Sequence, residues 1–440
     1  MATKRQKKQA YKAAKKTAKK YPVLVLILVL LIIGLAVGGF ILYKNGYFDK
    51  WLNKSDTSNN TKPENTNIVY NEDGINENIV YDNFQIHFLE LGNEYAGDSV
   101  YIKAGDNDIL IDAGSRKGSA TTIKNYVDKY CTDGKLEYVI ATHAHQDHIA
   151  GFVGTSNSGN RTGILYQYKI GTLIDFALSD VTSELYKTDY LQAVSYAVSN
   201  GATHHKADWY FDSSRNPLDT AYISLGDNIS MDILYNKYYF EKSSDENNYS
   251  VCTMFNYIDK HFIMTGDLEK EGEESLANYY DGSTPKKTLP KVELFKAGHH
   301  GSKTSSNECL LSIIQPRISV ACCCAGSTEY TLSNDTIFPT QDFINRIAKY
   351  TSRVYITSLF NQESGSFESM NGNVIVSTDG TSVGLKATNN LTRLKDTAWF
   401  NEKIYLVDGK VAKGSKGSKD FYKSTDENVV EKPRRTWPSN

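Results

Sequence analysis

The stretch LEYVIATHAHQDH at residues 136–148 decides the fold of this chain. Its first part, Leu136 to Thr142, is mostly apolar, which is typical of a strand in a sheet covered on its faces. The strand ends in His143-Ala144-His145-Gln146-Asp147-His148, so three imidazoles and one carboxylate follow it directly. Zinc and similar borderline metals prefer nitrogen and carboxylate ligands, so this run can face two neighbouring cations. The sequence therefore predicts a metal site at the end of this strand.

Two further runs place ligand-type side chains at the ends of predicted strands. Asp267 follows the apolar run Phe262–Thr265, and a carboxylate there could bridge two cations. His299 and His300 follow the apolar run Val292–Lys296 and lead into a Gly-Ser pair. Five of the nine histidines thus lie in two short runs, each at the end of an apolar strand, which favours metal binding over chance surface positions.

The periodicity of the surrounding sequence predicts mixed sheets covered by helices. Apolar side chains recur at helical spacing between Ile123 and Tyr130, and residues 268–280 are also helical in pattern. Strands are predicted at residues 84–91, 100–103, 109–112, 136–142, 251–257, 262–265, 292–296, 318–325, 354–357 and 373–377. Strands joined by hairpins, with helices between others, favour an α/β (α+β) fold over an all-β sandwich.

These motifs resemble those of the metallo-β-lactamase superfamily, in which H-x-H-x-D-H is followed by T-G-D and H-H-G-S. More narrowly, the chain looks like the hydrolase domain at the C-terminal end of competence proteins of the ComEC type. That resemblance rests on the runs HFLELG, GDSVYI, DILIDAG, NNYSV, TGDLE, HHGSKTSS and NVIVSTDG, and it covers about residues 84 to 387. It implies a four-layer αββα sandwich with a two-metal site at one edge of its two sheets.

The resemblance also implies a role for each residue of the motifs. His143 and His145 would hold a first metal, Asp147 and His148 a second, and Asp267 would bridge the two. One of the next histidine pair would complete the second site while the other contacts substrate, and the sequence leaves open which does which. Our working assignment makes His299 the ligand and places His300 with Asp147 and Asp267 in catalysis. Asp112, in the IDAG run, would support the histidine loop from behind. We expect two divalent ions, Zn²⁺ in preference to Mn²⁺.

The chain departs from the family pattern at two places. Many relatives add a histidine ligand between the first run and the bridging aspartate, and the candidates here are His204 and His205, which we interpret as surface residues. Phe338 stands where the competence-type domain usually has a histidine before a proline, which affects the substrate side of the site. His148 occupies the place after the motif aspartate that true β-lactamases of this fold leave without a histidine, so antibiotic hydrolysis is not expected.

The charges of the chain are segregated. Residues 1–20 carry nine of the 49 Lys and Arg and no acidic residue, which leaves 40 basic and 51 acidic residues in the remainder, a net charge of −11. Residues 23–43 are free of charge, and at about 1.5 Å per residue they are long enough to cross a bilayer. We therefore expect a basic cytoplasmic tail at 1–22, a single transmembrane anchor at 23–43 and an extracellular remainder. A cleaved signal peptide is the alternative.

The extracellular remainder is expected to contain one large domain. Residues 44–83 are rich in Asn, Ser and Thr and predict a flexible linker, residues 84–395 the hydrolase domain, and residues 396–440 a polar C-terminal tail. Six cysteines in 440 residues exclude a disulfide scaffold. A G-x-x-x-G step at Gly34 and Gly38 would allow weak homodimerisation through the anchor.

The sequence thus predicts a membrane-anchored, extracellular hydrolase with two metal ions. A metal pair makes hydroxide available at neutral pH, which suits phosphodiester hydrolysis, and the resemblance suggests extracellular DNA as substrate. Two alternatives stay open: an esterase of a wall polymer such as a phosphorylcholine-bearing teichoic acid, and a non-catalytic binding protein tethered to the envelope. An acidic body lacks a broad basic surface for nucleic acid, so affinity for DNA would have to come from the metals and a local groove.

Overall fold

The computed structural model describes residues 71, 73–157, 159–216, 221–361, 364–407, 410–411 and 429–439. The predicted cytoplasmic tail, anchor and most of the predicted linker lie outside these residues, and so does much of the predicted C-terminal tail. Among the described helices, none combines the length and the apolar character that a bilayer crossing requires.

The first of two large sheets contains most of the N-terminal strands. Its order is β1-β19-β18-β2-β3-β4-β5-β8-β9, with β4, β5, β8 and β9 parallel to one another. The strand bounds are β1 (Ile75–Glu77), β2 (Phe84–Phe88), β3 (Val100–Ala104), β4 (Asn107–Ile111), β5 (Lys135–Ala141), β8 (Lys169–Asp175), β9 (Thr203–Lys206), β18 (Val374–Thr378) and β19 (Val383–Ala387). A small separate hairpin consists of β6 (Ser156–Asn157) and β7 (Asn160–Arg161).

The second large sheet is built from the strands that follow in the chain. Its order is β10 through β17, antiparallel at first and parallel from β13 to β16. The bounds are β10 (Tyr222–Gly226), β11 (Ile229–Leu234), β12 (Cys252–Tyr257), β13 (Lys260–Met264), β14 (Leu294–Lys296), β15 (Ile318–Ala325), β16 (Val354–Asn361) and β17 (Ser366–Ser369).

Helices cover both sheets, and the sheets pack face to face. The ring of Phe84 on β2 lies 5.1 Å from the ring of Phe262 on β13, within a continuous core between the sheets. Helices α1 to α4 add apolar side chains to the core that contains the first sheet, and α5 to α7 pack with the second sheet in a core of their own. The helix bounds are α1 (Ser119–Val127), α2 (Gln146–Val153), α3 (Ile164–Gln167), α4 (Leu191–Ser199), α5 (Lys270–Tyr279), α6 (Glu308–Ile314), α7 (Gln341–Ile347) and α8 (Ala398–Asn401). The mixed α/β sandwich predicted from the motifs is confirmed.

The structured part extends beyond residues 84–395 on both sides. β1 pairs in parallel with β19, although it lies in the predicted linker. Within the predicted C-terminal tail, Trp399 and Phe400 are buried in the core of the second sheet. A three-stranded sheet follows, formed by β20 (Lys403–Val407), β21 (Lys410–Val411) and β22 (Val429–Pro433). Arg435, just after β22, is buried and donates to the backbone oxygens of Ile337 and Pro339.

Candidate metal centre

The three motif runs meet because parallel strands end at the same edge of their sheets. His143 follows β5, Asp267 follows β13, and His299 and His300 follow β14. The carboxyl ends of such strands are the usual location of binding sites in open α/β sheets. The structure therefore brings together at one edge the residues that the sequence separates by up to 157 positions.

The turn that carries His143 to His148 lies against the loop after β4. A backbone bond from the Ala113 amide to the His148 oxygen, at 2.8 Å, joins the two segments, and the residue Asp98 before β3 adds a bond from its amide to the Asp147 oxygen at 3.0 Å. Gly114 permits this contact, since a Cβ there would lie 1.7 Å from the Asp147 oxygen. The close approach fixes the position of the histidine turn.

His148 is at the centre of the cluster. Its Nδ1 lies 2.7 Å from Oδ2 of Asp112 and its Nε2 lies 3.0 Å from Oδ2 of Asp267. His143, His148 and Asp267 each offer a ligand atom within 4.8 Å of the others, and all three are buried. His145 contacts His143, with Nδ1 3.0 Å from Nε2, but it joins no such group of three among the described residues.

A second group is formed by Asp147, His148 and His300. Nε2 of His300 lies 3.3 Å from Oδ2 of Asp147 and 3.3 Å from Oδ2 of Asp267, and its Nδ1 lies 2.8 Å from the Cys322 oxygen. Both His299 and His300 have positive φ, at 45° and 55°, which strains a non-glycine residue and turns the two rings in different directions. His300 is fully buried in the cluster, whereas His299 reaches Asp267 only at 4.0 Å. This geometry offers His300 as the ligand, the reverse of our working assignment.

The loop that carries this histidine pair is held by the buried carboxyl group of Glu273 and the partly buried guanidinium of Arg346. Glu273 on α5 is fully buried and accepts from the amides of Ser306 and Asn307, at 2.6 and 2.7 Å. Arg346 on α7 donates to the backbone oxygens of the same loop, including Ser305 at 2.8 Å and Ser306 at 2.9 Å. The loop is thus fixed from both its amide and its carbonyl side.

Two charged residues of the cluster were missed as site residues in the sequence. Asp98 is buried and lies in ligand groups with Asp112 and His148 and with Asp267 and His300. Lys296, the last residue of β14, is buried and forms an ion pair with Asp98. Its Nζ also lies 3.5 Å from Oδ1 of Asp267. Among the described residues, the cluster thus contains four buried carboxylates, those of Asp98, Asp112, Asp147 and Asp267, and one buried lysine, which lies beside Asp98 and Asp267.

The pKa values of the cluster reflect this excess of negative charge. Burial by itself would raise the pKa of Asp267, but the charges of His148 and His300 outweigh it and the pKa lies well below its ordinary value. Burial would lower the pKa of both histidines, and the neighbouring carboxylates outweigh it, so these pKa values lie well above the ordinary range. For Asp112 burial dominates and raises the pKa.

The donor set fits divalent cations. Among the described residues, no hydrogen bond of good geometry reaches the buried Oδ1 of Asp267 or Nε2 of His300, although charged neighbours lie 3.3 to 3.5 Å away. Such poorly satisfied polar atoms are costly unless something binds them. Imidazole nitrogens and carboxylate oxygens are the ligands that zinc prefers. Two divalent cations would also balance the buried negative charge and would replace the protons of the imidazoles.

A pocket of about 930 Å³ opens onto this cluster. Asp147 and His145 reach it from the histidine turn, and His299 reaches it from the opposite side. Nδ1 of His299 lies 3.1 Å from Oε1 of Glu269, which orients the ring. The remaining lining residues are Arg116, Gln146, Asn247, Ser302, Lys303, Thr304, Glu329, Tyr330, Thr331, Thr336 and Phe338.

One wall of the pocket comes from residues 326–340, which we call the aromatic wall. Tyr330 donates from its hydroxyl to Oδ2 of Asp147 at 3.1 Å. The ring of Phe338 lies 5.4 Å from that of His299 and 5.7 Å from that of His300. The phenyl ring thus packs against both imidazoles, at the position where the sequence departs from the competence-type pattern.

His204 and His205 lie outside the cluster. Both are on β9, the edge strand of the first sheet, where Nε2 of His204 contacts Asp175 at 2.9 Å and the ring of His205 stacks on Trp209 at 3.8 Å. Neither joins a group of three ligand atoms among the described residues.

The sequence and the fold were compared with known proteins. Residues 92–200 match the sequence model of the Metallo-beta-lactamase superfamily. Recombination protein 2 of Haemophilus influenzae is 30% identical over 117 residues, which are 27% of this chain and 13% of that protein. ComE operon protein 3 of Bacillus subtilis is 34% identical over 77 residues, 18% of this chain and 9% of that protein. The chain thus spans only about a tenth of the length of these relatives.

A solved structure with a similar fold is the metallo-beta-lactamase fold protein YhfI from Bacillus subtilis. It is 10% identical, with a TM-score of 0.33, and the similarity covers 62% of this chain and 95% of that protein. The sequence matches, not this structural similarity, confirm the resemblance to the superfamily and to competence proteins that the motifs indicated.

Proposed function

From its place in the metallo-β-lactamase superfamily, as a metal-dependent hydrolase, we propose that this chain hydrolyses phosphodiesters, with nucleic acid as the substrate class. The observation that carries the proposal is the pocket whose floor is the buried histidine and carboxylate cluster. The similarity to a recombination protein and to competence proteins supports nucleic acid over other phosphodiesters.

We assign the protein groups as follows. His143 and His145 would hold one cation, Asp147, His148 and His300 the other, and Asp267 would contribute to both, because it shares one ligand group with His143 and another with His300. When bound, two divalent cations would supply Lewis acidity, which makes water acidic enough to act as a nucleophile near neutral pH. Zn²⁺ fits the imidazole-rich set best, and Mn²⁺ is the alternative.

The chain's own groups would position the substrate and move protons. Asp147 lines the pocket as well as belonging to the cluster, so its carboxylate is in place to accept a proton from attacking water. His299 lines the opposite side and is oriented by Glu269, which places its ring against the departing group. Lys303 supplies positive charge at the pocket for phosphate oxygens.

We further propose that the domain works outside the cell, anchored by residues 23–43 with residues 1–22 in the cytoplasm. The support is the sequence pattern of nine basic residues before an uncharged apolar run. Protease protection of the intact cell tests this: added protease would remove the hydrolase domain from whole cells. Survival of the domain until the cells are lysed would contradict the extracellular orientation.

The catalytic proposal is tested by bound metal and activity in the full chain. Wild type would bind about two Zn²⁺ or Mn²⁺ per chain and would hydrolyse bis(p-nitrophenyl) phosphate and single-stranded DNA. Asp267→Asn would lose both properties. Asp259→Asn is a matched control, because its side chain lies in the exposed turn of the same hairpin, with 72% of it accessible. If the Asp267 and Asp259 variants behave alike, the metallohydrolase proposal is wrong.

A wall-polymer esterase is the second candidate, favoured by the acidic body of net charge −11 beyond residue 20. Such a surface repels a long polyanion such as DNA, whereas in a phosphorylcholine-bearing wall polymer the quaternary ammonium groups offset the charge of the phosphates. Hydrolysis of phosphorylcholine-bearing teichoic acid in preference to DNA, in the same assay, would shift the substrate class to this candidate.

A further inference from the structure

The aromatic wall is held rigidly on three sides. Glu329 forms an ion pair with Arg116 and accepts from the Ala96 amide at 3.1 Å. The Thr340 amide donates to the Gly301 oxygen at 2.8 Å, which joins the wall to the histidine loop. Arg435 holds it from behind through the Pro339 oxygen, also at 2.8 Å. The wall therefore has a fixed place beside the cluster.

Tyr330 exposes its ring from this rigid wall. The residue is 59% exposed, although its hydroxyl is fixed to Asp147 and its ring lies 6.4 Å from that of Phe338. Large apolar side chains are usually buried where packing allows, and an exposed ring held in place in a pocket points to a ligand. The exposed face lies within reach of a group attached to a phosphate at the cluster.

The charges around Tyr330 indicate what kind of group this is. The carboxylates of the pocket are engaged: Glu329 pairs with Arg116, Glu269 with His299, and Asp147 with His300 and the Tyr330 hydroxyl, so none is free to face a cationic group. Lys303 lines the pocket, is exposed, and has no carboxylate within 4.0 Å among the residues described. A free ammonium repels a quaternary ammonium group such as choline and attracts a neighbouring phosphate.

We propose that Tyr330, supported by Phe338, stacks a nucleobase of the substrate while Lys303 contacts an adjacent phosphate. This inference rests on the proposed phosphodiesterase function and narrows its substrate to a strand with unpaired bases. Stacking on an aromatic side chain is tolerant of base identity and contributes enough to change binding about tenfold per base. The hydroxyl bond to Asp147 would keep the ring at a fixed distance from the reacting phosphate.

The test compares two single-stranded oligomers of equal length and charge, decathymidylate and a decamer of abasic sites, with the full chain. We expect wild type to prefer the base-bearing oligomer about tenfold in kcat/KM, and also in Kd, measured on the metal-loaded protein by fluorescence anisotropy with phosphorothioate versions that resist hydrolysis. Tyr330→Ala would abolish both preferences and Tyr330→Phe would keep them. Tyr222→Ala, a 53% exposed tyrosine on edge strand β10, is the control and would change neither.

Several outcomes would overturn the inference. Equal loss on both oligomers in Tyr330→Ala would mean that the tyrosine acts through Asp147 alone. Loss of preference in Tyr330→Phe would assign the effect to the hydroxyl. Tyr330-dependent hydrolysis of glycerophosphocholine without base preference would point to a choline site. Hydrolysis of bis(p-nitrophenyl) phosphate without any base preference refutes stacking but not the phosphodiesterase, whereas no hydrolysis of any ester refutes both.

Discussion

Arg435 provides the sharpest test of how this site is held together. Its guanidinium donates to the backbone oxygens of Ile337 at 2.7 Å and Pro339 at 2.8 Å, and to both the side chain and the backbone oxygen of Asn334, at 3.0 and 3.2 Å. Arg435 is 3% exposed. One side chain from the C-terminal segment thus satisfies four acceptors of the aromatic wall. We consider the change Arg435→Met, which keeps the length of the side chain and removes every donor.

The cost follows from the acceptors left without partners. At least two backbone carbonyls, those of Ile337 and Pro339, would lose a charged donor, and a buried unsatisfied acceptor costs about 1–3 kcal/mol. Part of this is offset because the buried charge also disappears: burial, with the charge of Arg434, lowers the pKa of Arg435 to about 10. We therefore expect a net loss of about 2–4 kcal/mol in the free energy of unfolding.

Urea denaturation of the full chain measures this loss, and hydrolysis of bis(p-nitrophenyl) phosphate measures its effect on the site. We expect kcat/KM to fall because Phe338 and Tyr330 no longer have a fixed position. Arg435→Lys would recover only part of the stability, since an ammonium lacks the planar fork. Lys432→Met on β22 is the matched control, expected within about 0.5 kcal/mol of wild type.

If Arg435→Met has the same stability and activity as the control Lys432→Met, the expectation is wrong. Such a result would mean that the wall keeps its position without the C-terminal segment. If Arg435→Met loses stability but keeps full activity per folded molecule, Arg435 stabilises the fold without positioning the aromatic wall.

Three further predictions concern the cluster and the loop behind it. His300→Asn would reduce the number of bound metal ions from about two to one, as measured by equilibrium dialysis. His299→Asn would keep both ions and lower kcat. The reverse result would restore our working assignment of His299 as the ligand. Incubation with EDTA would abolish hydrolysis and lower Tm, because the buried carboxylates repel one another without cations, and an unchanged Tm would contradict this. Burial raises the pKa of Glu273 from 4.5 to about 7, so the folded state binds this proton more tightly than the unfolded state does. The free energy of unfolding of wild type should therefore fall by up to about 3 kcal/mol as the pH rises from about 4.5 through 7. Urea denaturation from pH 5 to 8 measures this change in the free energy of unfolding. Glu273→Gln would lack it, whereas the control Glu274→Gln, on the exposed face of the same helix, would keep it.

Most of the strands around the site could be predicted because their apolar runs are buried on both faces. β15 was predicted with the bounds that it has, Ile318–Ala325, and all eight of its residues are buried. Strands with polar residues on one face were missed, such as β8, whose residues Gly171 and Thr172 are only partly buried. An uninterrupted apolar run, rather than burial alone, therefore made a strand predictable, since β11 is almost wholly buried but contains Ser230 and Asp232 and was not predicted.

Asp98 shows a site residue that the sequence could have provided. It precedes β3, and β3 pairs antiparallel with β4, so that Val100 faces Ile111. Continuing that register past the ends of the strands places Ser99 opposite Asp112 and Asp98 opposite Ala113, so Asp98 lies one position from Asp112 across the hairpin. The hairpin was predicted, and its register would have placed Asp98 next to a residue already assigned to the site.

Arg435 and Lys296 show what pattern reasoning could not provide. The partners of Arg435 are mostly backbone carbonyls about 100 positions away, and a carbonyl is the same in every residue. Lys296 is the last residue of an apolar strand, a place where a lysine normally reaches solvent, and it is buried because Asp98 comes from the other sheet. Both depend on contacts between segments that are far apart in the chain.

The balance of charge constrains how a polyanion could reach this site. Four buried carboxylates and one buried lysine leave the cluster negative, and two divalent cations would offset that charge locally. The cations would not screen the acidic residues elsewhere in residues 21–440, which have a net charge of −11, so only salt screens those charges. A duplex lying along such a surface would gain little from counterion release. Free energy of binding must then come from the pocket itself, from the metals, Lys303 and an exposed ring. A single strand entering the pocket can use all three, whereas a duplex keeps its bases stacked and out of reach of Tyr330.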